Sequence, residues 1–216
     1  MKPPVLQARA LACERGGRRL FEGLDFALSE GQALWLSGGN GSGKTSLLRL
    51  LAGLGLPAEG EVLWRGRPVR ELREDFHRQL LYCGHAAGIK DDLAAWENVA
   101  CSAALAGHRI GRAHAEAALE RAGLDGVSEL PAHALSQGQR RRVALARLYL
   151  EPLPPLLLLD EPYTALDARA VATLAERIGT HLDSGGMAIY TTHQAHGLRP
   201  QYRQRLDLDA LAGVPA

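Results

Sequence analysis

Hydrophobic positions follow two different patterns along the chain. Near the N-terminus Leu24, Phe26 and Leu28 alternate with polar or small residues, which is typical of a half-buried strand. The turn ERGGRR at 14–19 lies between two stretches of this kind and predicts a hairpin. Further along, the apolar segments are continuous and short. They predict strands at 33–36, 61–64, 79–83, 155–160 and 187–192.

Helical patterns separate these strands. A helix that is apolar on most faces is expected at 46–54, and another is expected at 168–182. Between 93 and 150 the segments LAAWENVACSAALAG, RAHAEAALERAG and QGQRRRVALARLYL all favour helix. Continuous apolar strands that alternate with helices predict an α/β fold with a parallel sheet covered on both faces. The helical block is then an insertion between two of those strands.

Composition excludes several classes of protein. The net charge of +1 over 216 residues favours neither nucleic acid nor a charged membrane surface as a partner. No apolar run approaches the roughly 18–20 residues that cross a bilayer, and the N-terminal MKPPVLQARA lacks a signal core, so the chain is expected to stay in the cytosol. Cys13, Cys83 and Cys101 form no metal or haem-attachment motif and are expected to be free thiols.

A glycine-rich loop follows the strand at 33–36. The sequence GGNGSGKT fits the phosphate-binding pattern G-x-x-x-x-G-K-[ST], whose backbone N–H groups surround phosphate oxygens. Lys44 can reach the β- and γ-phosphates, and the Thr45 hydroxyl can hold Mg²⁺. The alternative is a chance glycine turn, which the strand before the motif and the helix after it disfavour. The expected nucleotide-binding residues here are Gly38, Gly39, Asn40, Gly41, Ser42, Gly43, Lys44, Thr45 and Ser46.

The acidic pair Asp160 and Glu161 ends the strand LLLLDEP. The carboxyl ends of strands are where α/β sheets bind ligands, so Asp160 is expected to hold Mg²⁺ and Glu161 to orient or deprotonate the attacking water. The alternative is an acidic turn that merely ends a strand. It is weak, because two adjacent carboxylates at a buried strand end require a cation or a proton.

A second anion site is expected where the helix of LSQGQRRRVALARLYL begins, at Ser136 and Gly138. The chain has one nucleotide-binding loop but two helix N-termini that are expected to bind phosphate, one after this loop and one at Ser136 and Gly138. A head-to-tail dimer, in which each chain closes over the other's ATP, would use both. The alternative is an ordinary N-capped helix with a basic face at 140–142.

Together these stretches resemble the ATP-binding cassette (ABC) family of transporter ATPases, from about residue 6 to 195. GGNGSGKT is similar to the Walker A loop, LLLLDE to Walker B, and LSQGQ to the signature LSGGQ with Gln137 replacing a glycine. ALD at 165–167 resembles the D-loop and TTHQ at 191–194 the switch-histidine loop. The resemblance implies ATP hydrolysis with Glu161, Lys44 and His193 as catalytic residues, and Asp167 communicating across the dimer.

The same resemblance implies one nucleotide-binding domain over residues 1–216. Its fold would be that of a P-loop NTPase, with a mostly parallel sheet and an N-terminal antiparallel β subdomain. The core would comprise about 1–85 and 151–216, and an inserted helical subdomain about 86–150.

A narrower resemblance is carried by CERGGRRLFEGLDF, EVLWRG, LYCGHAAGIK and AIYTTHQ. These segments are similar to the ATPase subunits of bacterial cytochrome c maturation systems, the so-called haem exporters. The resemblance implies a homodimer of cassettes, peripheral on the cytoplasmic face of the inner membrane, that energises haem delivery. The implied partners are membrane subunits resembling CcmB and CcmC and the haem chaperone CcmE, with no nucleic acid. The chain offers no obvious haem ligand set of its own.

Two positions depart from the general ABC pattern. Arg15 stands where many cassettes stack an aromatic ring on adenine, and a guanidinium can also stack on a base. His85 stands where the Q-loop glutamine is usual, and a neutral imidazole also offers one donor and one acceptor. The alternatives are a solvated turn arginine and a loop-capping histidine. The turn after His85, with Trp96 and Glu97, is expected to dock the membrane partner.

Two other functions compete with a transporter ATPase. A soluble ABC ATPase that acts on nucleic acid or ribosomes usually has two cassettes or long insertions, which are not seen here. A regulatory subunit without turnover would not need Lys44, Asp160, Glu161 and His193 together.

Overall fold

The computed structural model describes residues 3–192, 198–199 and 202–211. Its strands are β1 (Leu6–Arg15), β2 (Arg18–Leu28), β3 (Ala33–Ser37), β4 (Glu59–Trp64), β5 (Arg67–Pro68), β6 (Leu80–Cys83), β7 (Leu156–Leu159), β8 (Met187–Thr191) and β9 (Arg203–Asp207). Its α-helices are α1 (Lys44–Leu51), α2 (Val69–Leu72), α3 (Glu74–His77), α4 (Ala95–Leu105), α5 (Arg112–Arg121), α6 (Gln137–Leu145) and α7 (Ala168–Asp183).

The strands form two sheets. The first is antiparallel in the order β2-β1-β4-β5, and the predicted hairpin is present with Arg15 opposite Arg18. The second is parallel in the order β6-β7-β8-β3-β9. Every residue of β7 and β8 is buried, because helices and the antiparallel sheet cover the two faces. The predicted α/β fold with a parallel sheet and an antiparallel β subdomain is confirmed.

The predicted helical block lies between β6 and β7 in the sequence. Helices α4, α5 and α6 pack through buried Val99, Leu119 and Val143, which share one hydrophobic cluster with strands β6 and β7. The insertion of helices between two parallel strands is thus present. The subdomain boundaries at 86 and 150 stay a prediction.

Several predicted boundaries were wrong. Helix α1 ends at Leu51 rather than at 54, because the backbone leaves helical geometry at Gly53, where φ is 70°. Helix α6 stops at Leu145, and the chain tightens into a 3₁₀ turn at Ala146–Tyr149. Strands β5 and β9 and the short helices α2 and α3 were not predicted.

Strand β6, which precedes His85, is not a direct neighbour of β3, which precedes the glycine loop. Strands β7 and β8 lie between β6 and β3 in the sheet. All five strands are parallel, however, so their carboxyl ends lie along one edge. In the part of the chain that the structure describes, no helix has both the length and the apolar character needed to span a bilayer.

Candidate nucleotide site

One pocket of about 400 Å³ lies at the carboxyl edge of the parallel sheet. It joins the glycine loop, the loop after β6, the acidic pair after β7 and the hairpin tip of the antiparallel sheet. The lining residues are Arg15, Leu20, Asn40, Gly41, Gly43, Lys44, Thr45, Ser46, His85, Asp160 and Glu161. Residues separated by more than a hundred positions in sequence therefore face one space.

The glycine loop connects β3 to the N-terminus of α1. Gly43 caps the helix with φ of 101° and offers no side chain, so the first N–H groups of α1 are left for a ligand. A Cβ on Gly43 would lie 3.2 Å from the Phe21 ring, so both the positive φ and the close approach of this ring favour glycine. The Lys44 Nζ donates hydrogen bonds to the carbonyls of Gly38 and Gly39, at 2.7 and 2.8 Å. The ammonium group thus lies across the loop.

The base of the loop rests on a residue that the sequence did not single out. The Asp209 carboxylate accepts a hydrogen bond of 2.8 Å from the Gly39 N–H, across 170 positions of sequence. Gly38, Gly39 and Ser42 do not line the pocket, and a Cβ on Gly38 would lie 2.6 Å from the Ser42 Oγ. These three residues shape the loop from behind.

The acidic pair is held by two hydroxyl groups. Asp160 is only 2% exposed, and its carboxylate accepts hydrogen bonds from Thr45 Oγ1 at 2.8 Å and Thr191 Oγ1 at 2.9 Å. The Glu161 N–H donates to the same Thr191 oxygen at 2.7 Å. Glu161 has φ of 49°, a left-handed conformation that costs about 1–3 kcal/mol in a residue other than glycine. Thr191 was missed, although it is the polar residue that ends the apolar stretch MAIYT.

Arg141 was also missed, because the sequence reading considered 140–142 only as the basic face of an ordinary helix. Its side chain is buried, and its guanidinium donates to four backbone carbonyls. Those of Asp160 and Glu161 lie at 2.9 and 2.8 Å, and those of Gly84 and His85 at 3.1 and 3.3 Å. Burial lowers the pKa of Arg141, an effect that the nearby Asp160 and Glu161 carboxylates oppose. The helix face at 140–142 is therefore not uniformly exposed.

Thr45 and Asp160 fit a magnesium ion. They place a hydroxyl and a carboxylate oxygen in contact at the edge of the pocket, and Mg²⁺ prefers oxygen ligands. In the described ranges no group of three or more His, Cys, Asp or Glu side chains forms a metal site. Such an ion would take its remaining ligands from phosphate and water, as is usual for Mg²⁺ in nucleotide sites.

The signature residues lie outside the pocket of their own chain. Ser136 caps α6, with its Oγ accepting from the Gln139 N–H and the Gln139 side chain accepting from the Ser136 N–H. Ser136 and Gln137 are exposed. A Cβ on Gly138 would lie 2.8 Å from the Ala165 carbonyl, so the signature turn packs directly on the ALD segment. In that segment Asp167 caps α7 by accepting from the Ala170 N–H at 2.8 Å.

The remaining predicted residues are placed as follows. Arg15 and His85 are both exposed at the rim of the pocket. Trp96 is partly buried under the Arg112 guanidinium, 5.4 Å from its ring centroid, and Glu97 accepts from the Ala94 N–H. His193 lies outside the described residues.

Comparisons with known proteins agree with this geometry. The family model described as ABC transporter matches residues 21–164. The cytochrome c biogenesis ATP-binding export protein CcmA of Pseudomonas putida is 52% identical over 94% of this chain and 96% of its own length. The protein of the same name from Escherichia coli K12 is 46% identical, over 94% of this chain and 96% of its own length.

Solved structures show the same fold at lower identity. An ABC transporter ATP-binding protein from Pyrococcus furiosus aligns with a TM-score of 0.81 and 21% identity, over 96% of this chain and 98% of that chain. A bacterial ABC transporter cassette solved as a dimer aligns with a TM-score of 0.78 and 22% identity, over 94% of both chains. The chain therefore belongs to the ABC transporter family and is one of its ATP-hydrolysing cassettes.

Proposed function

We propose that the pocket at the edge of the parallel sheet holds the triphosphate of ATP and hydrolyses its terminal phosphate. The observation that carries this proposal is the meeting of Lys44, Thr45, His85, Asp160 and Glu161 around one space. A phosphate-binding loop, a pair of oxygen ligands for Mg²⁺ and a carboxylate that lines the same space are the groups that phosphoryl transfer to water requires.

Phosphate binding falls to the glycine loop and the start of α1. The backbone N–H groups of Gly41 and of residues 43–46 surround the β- and γ-phosphates, and the positive end of α1 adds to their field. Lys44 exchanges the carbonyls of Gly38 and Gly39 for phosphate oxygens. Thr45 and Asp160 hold Mg²⁺, which when bound neutralises charge on the phosphates.

Hydrolysis then needs a group that accepts the proton of the attacking water. Glu161 follows the buried strand β7 and lines the pocket, so its carboxylate takes this proton as the water oxygen bonds to phosphorus and the bond to ADP breaks. His193 is assigned to the γ-phosphate by its place in the TTHQ motif, and this role stays a prediction.

A second copy of the chain completes the site. Ser136, Gln137 and Gly138 start a helix and do not line the chain's own pocket, so they are assigned to the nucleotide of a partner cassette. Asp167 lies in the segment that touches Gly138 and is assigned to communication across the dimer. The dimeric cassette among the solved structures supports this arrangement.

The names of the relatives point to the process that the ATPase drives. We infer that the dimer energises the export step of cytochrome c biogenesis, with haem delivery as the work performed. Membrane subunits resembling CcmB and CcmC, and the haem chaperone CcmE, would supply the transport path at the cytoplasmic face of the inner membrane. The net charge of +1 gives no support to a nucleic-acid partner.

The chemical part is tested by steady-state ATP hydrolysis. Glu161→Gln should bind ATP but lose turnover by about a hundredfold or more, because an amide cannot take the water's proton. Lys44→Ala should weaken nucleotide binding as well. Glu120→Gln, on the exposed face of α5, is the matched control and should keep the native rate. Native turnover by Glu161→Gln would exclude the proposed chemistry.

The biological part is tested by complementation. A strain of Escherichia coli that lacks its own CcmA would receive this chain or its Lys44→Ala variant, and haem-stained gels would report c-type cytochromes. We expect the native chain to restore them and the variant to fail. If the chain folds and hydrolyses ATP but does not restore c-type cytochromes, the proposed role in cytochrome c biogenesis is wrong. The proposed ATPase activity would still hold.

A further inference from the structure

The buried guanidinium of Arg141 joins two loops at the point where their strands stop pairing. The β6–β7 ladder ends at Cys83 and Leu159, with one further hydrogen bond of 2.8 Å from the Asp160 N–H to the Cys83 carbonyl. Beyond it the chains diverge towards the pocket. One terminal nitrogen of Arg141 holds the loop of Gly84 and His85, and the other holds Asp160 and Glu161.

Packing alone does not account for this arginine. The residue is 7% exposed, and in the described part of the chain its guanidinium has no ion pair and its Nε has no hydrogen-bond partner. Burying a charge without a carboxylate partner is costly, and an apolar side chain of similar volume would usually cost less. The planar fork reaches four carbonyls on two separate loops, which neither an apolar side chain nor lysine can do.

The backbone of Glu161 depends on this contact. Its N–H is held by Thr191 and its carbonyl by Arg141, at 2.7 and 2.8 Å, while φ is 49°. A left-handed conformation outside glycine persists only where the surrounding structure determines it from several sides. Removal of Arg141 would release the carbonyl of Glu161 and let its strained backbone relax. The direction of the Glu161 side chain would then change.

Arg141 also belongs to the helix that carries the signature residues. Helix α6 begins at Gln137, and Arg141 lies just over one turn further along. A displacement of that helix is therefore transmitted through one side chain to the loops of His85 and Glu161.

We propose that Arg141 is a positioning residue for ATP hydrolysis, which fixes the Glu161 carboxylate and the His85 loop relative to the signature helix. The inference rests on the proposed function, in which Glu161 accepts the proton of the attacking water. Arg141 itself does not line the pocket proposed to hold the nucleotide. Its contribution is to turnover and not to nucleotide affinity.

The test compares Arg141→Gln and Arg141→Lys with Arg142→Gln. Arg142 is the matched control, since it lies next along the same helix but donates to the Gly123 carbonyl at 2.9 Å, away from the pocket. Steady-state hydrolysis gives kcat and KM, titration with a fluorescent ATP analogue gives nucleotide affinity, and thermal unfolding reports the fold.

For Arg141→Gln we expect kcat to fall by about tenfold or more, with nucleotide affinity within about threefold of the native value. Arg141→Lys should recover part of the rate, because an ammonium group can hold one loop but not both. Arg142→Gln should match the native chain in all three measurements.

A native kcat in Arg141→Gln would overturn the proposal, as would a parallel loss of kcat and nucleotide affinity or an equal loss in Arg142→Gln. If Arg141→Gln does not fold, the kcat of Arg141→Lys is the test, and a native kcat in that variant overturns the proposal. Failure of the proposed function is distinguishable, because it would appear as turnover by Glu161→Gln whatever the arginine variants do.

Discussion

The Thr45 hydroxyl donates a hydrogen bond of 2.8 Å to the Asp160 carboxylate, across 115 positions of sequence. This contact ties the first turn of α1 to the end of β7, and it places two oxygen ligands side by side at the pocket. Asp160 also connects to β8, because Thr191 donates to its other carboxylate oxygen. Three neighbouring elements of the core therefore meet at one carboxylate.

Loss of either oxygen ligand should change the magnesium requirement. Asp160→Asn keeps the size of the side chain and removes its charge, and Thr45→Val keeps the shape and removes the hydroxyl. We expect both variants to need about tenfold more Mg²⁺ for half-maximal hydrolysis, since ligand and outer-shell losses weaken metal binding by that order. Thr45→Ser keeps the hydroxyl and serves as the control. An unchanged magnesium titration for Thr45→Val would contradict the assignment.

The shared site is best tested at Ser136. Any side chain at Gly138 would collide with the Ala165 carbonyl of the same chain, so a substitution there disturbs the fold before it reaches a partner. Ser136→Asp and Ser136→Asn both preserve the helix cap. Only the aspartate brings a like charge towards the triphosphate of the second chain, so only it should disfavour closure.

Both substitutions are made in a Glu161→Gln background. Dimerisation with and without ATP is then measured by size-exclusion chromatography with light scattering. We expect the Ser136→Asn chain to dimerise with ATP and the Ser136→Asp chain to remain monomeric. Equal dimerisation by the two variants would mean that Ser136 does not face a nucleotide.

Arg15 lies at the hairpin tip on the rim of the pocket and is predicted to stack on adenine. Arg15→Ala should raise the KM for ATP by about two- to fivefold, the effect of one exposed cation–π contact. Arg15→Tyr should restore it, because a phenol ring also stacks. Arg18 is opposite Arg15 in the hairpin and does not line the pocket, so Arg18→Ala is the control. A native KM for ATP in Arg15→Ala would mean that Arg15 does not contact adenine and is only a solvated arginine of the turn.

His85 is predicted to sense the nucleotide on behalf of the membrane partner. Its backbone carbonyl is held by Arg141, so removing the imidazole should leave the loop in place. His85→Gln should keep much of the partner-stimulated hydrolysis, since an amide also offers a donor and an acceptor. His85→Ala should bind ATP normally but lose stimulation and cytochrome c maturation. His114→Ala, on the exposed surface of α5, is the control. An alanine variant that performs like the native chain in both assays would reduce His85 to a loop residue.

The sequence by itself determined the order of the longer strands and helices up to β8, the α/β class and the position of the glycine loop and the acidic pair. These features are local. An apolar run predicts a buried strand, and the glycine-lysine motif predicts a phosphate-binding loop. Asp160 and Glu161 directly follow four leucines, which places them at the end of a strand. The ends of elements were less certain, because the end of α1 depends on where Gly53 packs beneath Val69.

Only the tertiary structure decided which polar residues support the site. Three consecutive arginines look alike in sequence, yet only Arg141 enters the interior, because the crossing of α6 over the ends of β6 and β7 selects one direction on the helix. Asp209 supports the Gly39 N–H from the end of β9, and Thr191 supports Asp160 from the end of β8, and the partners of these strands in the sheet are distant in sequence. His85 lines the same pocket as the glycine loop, although two strands separate β6 from β3. Periodicity reports which face of an element is apolar, whereas these contacts depend on which elements become neighbours.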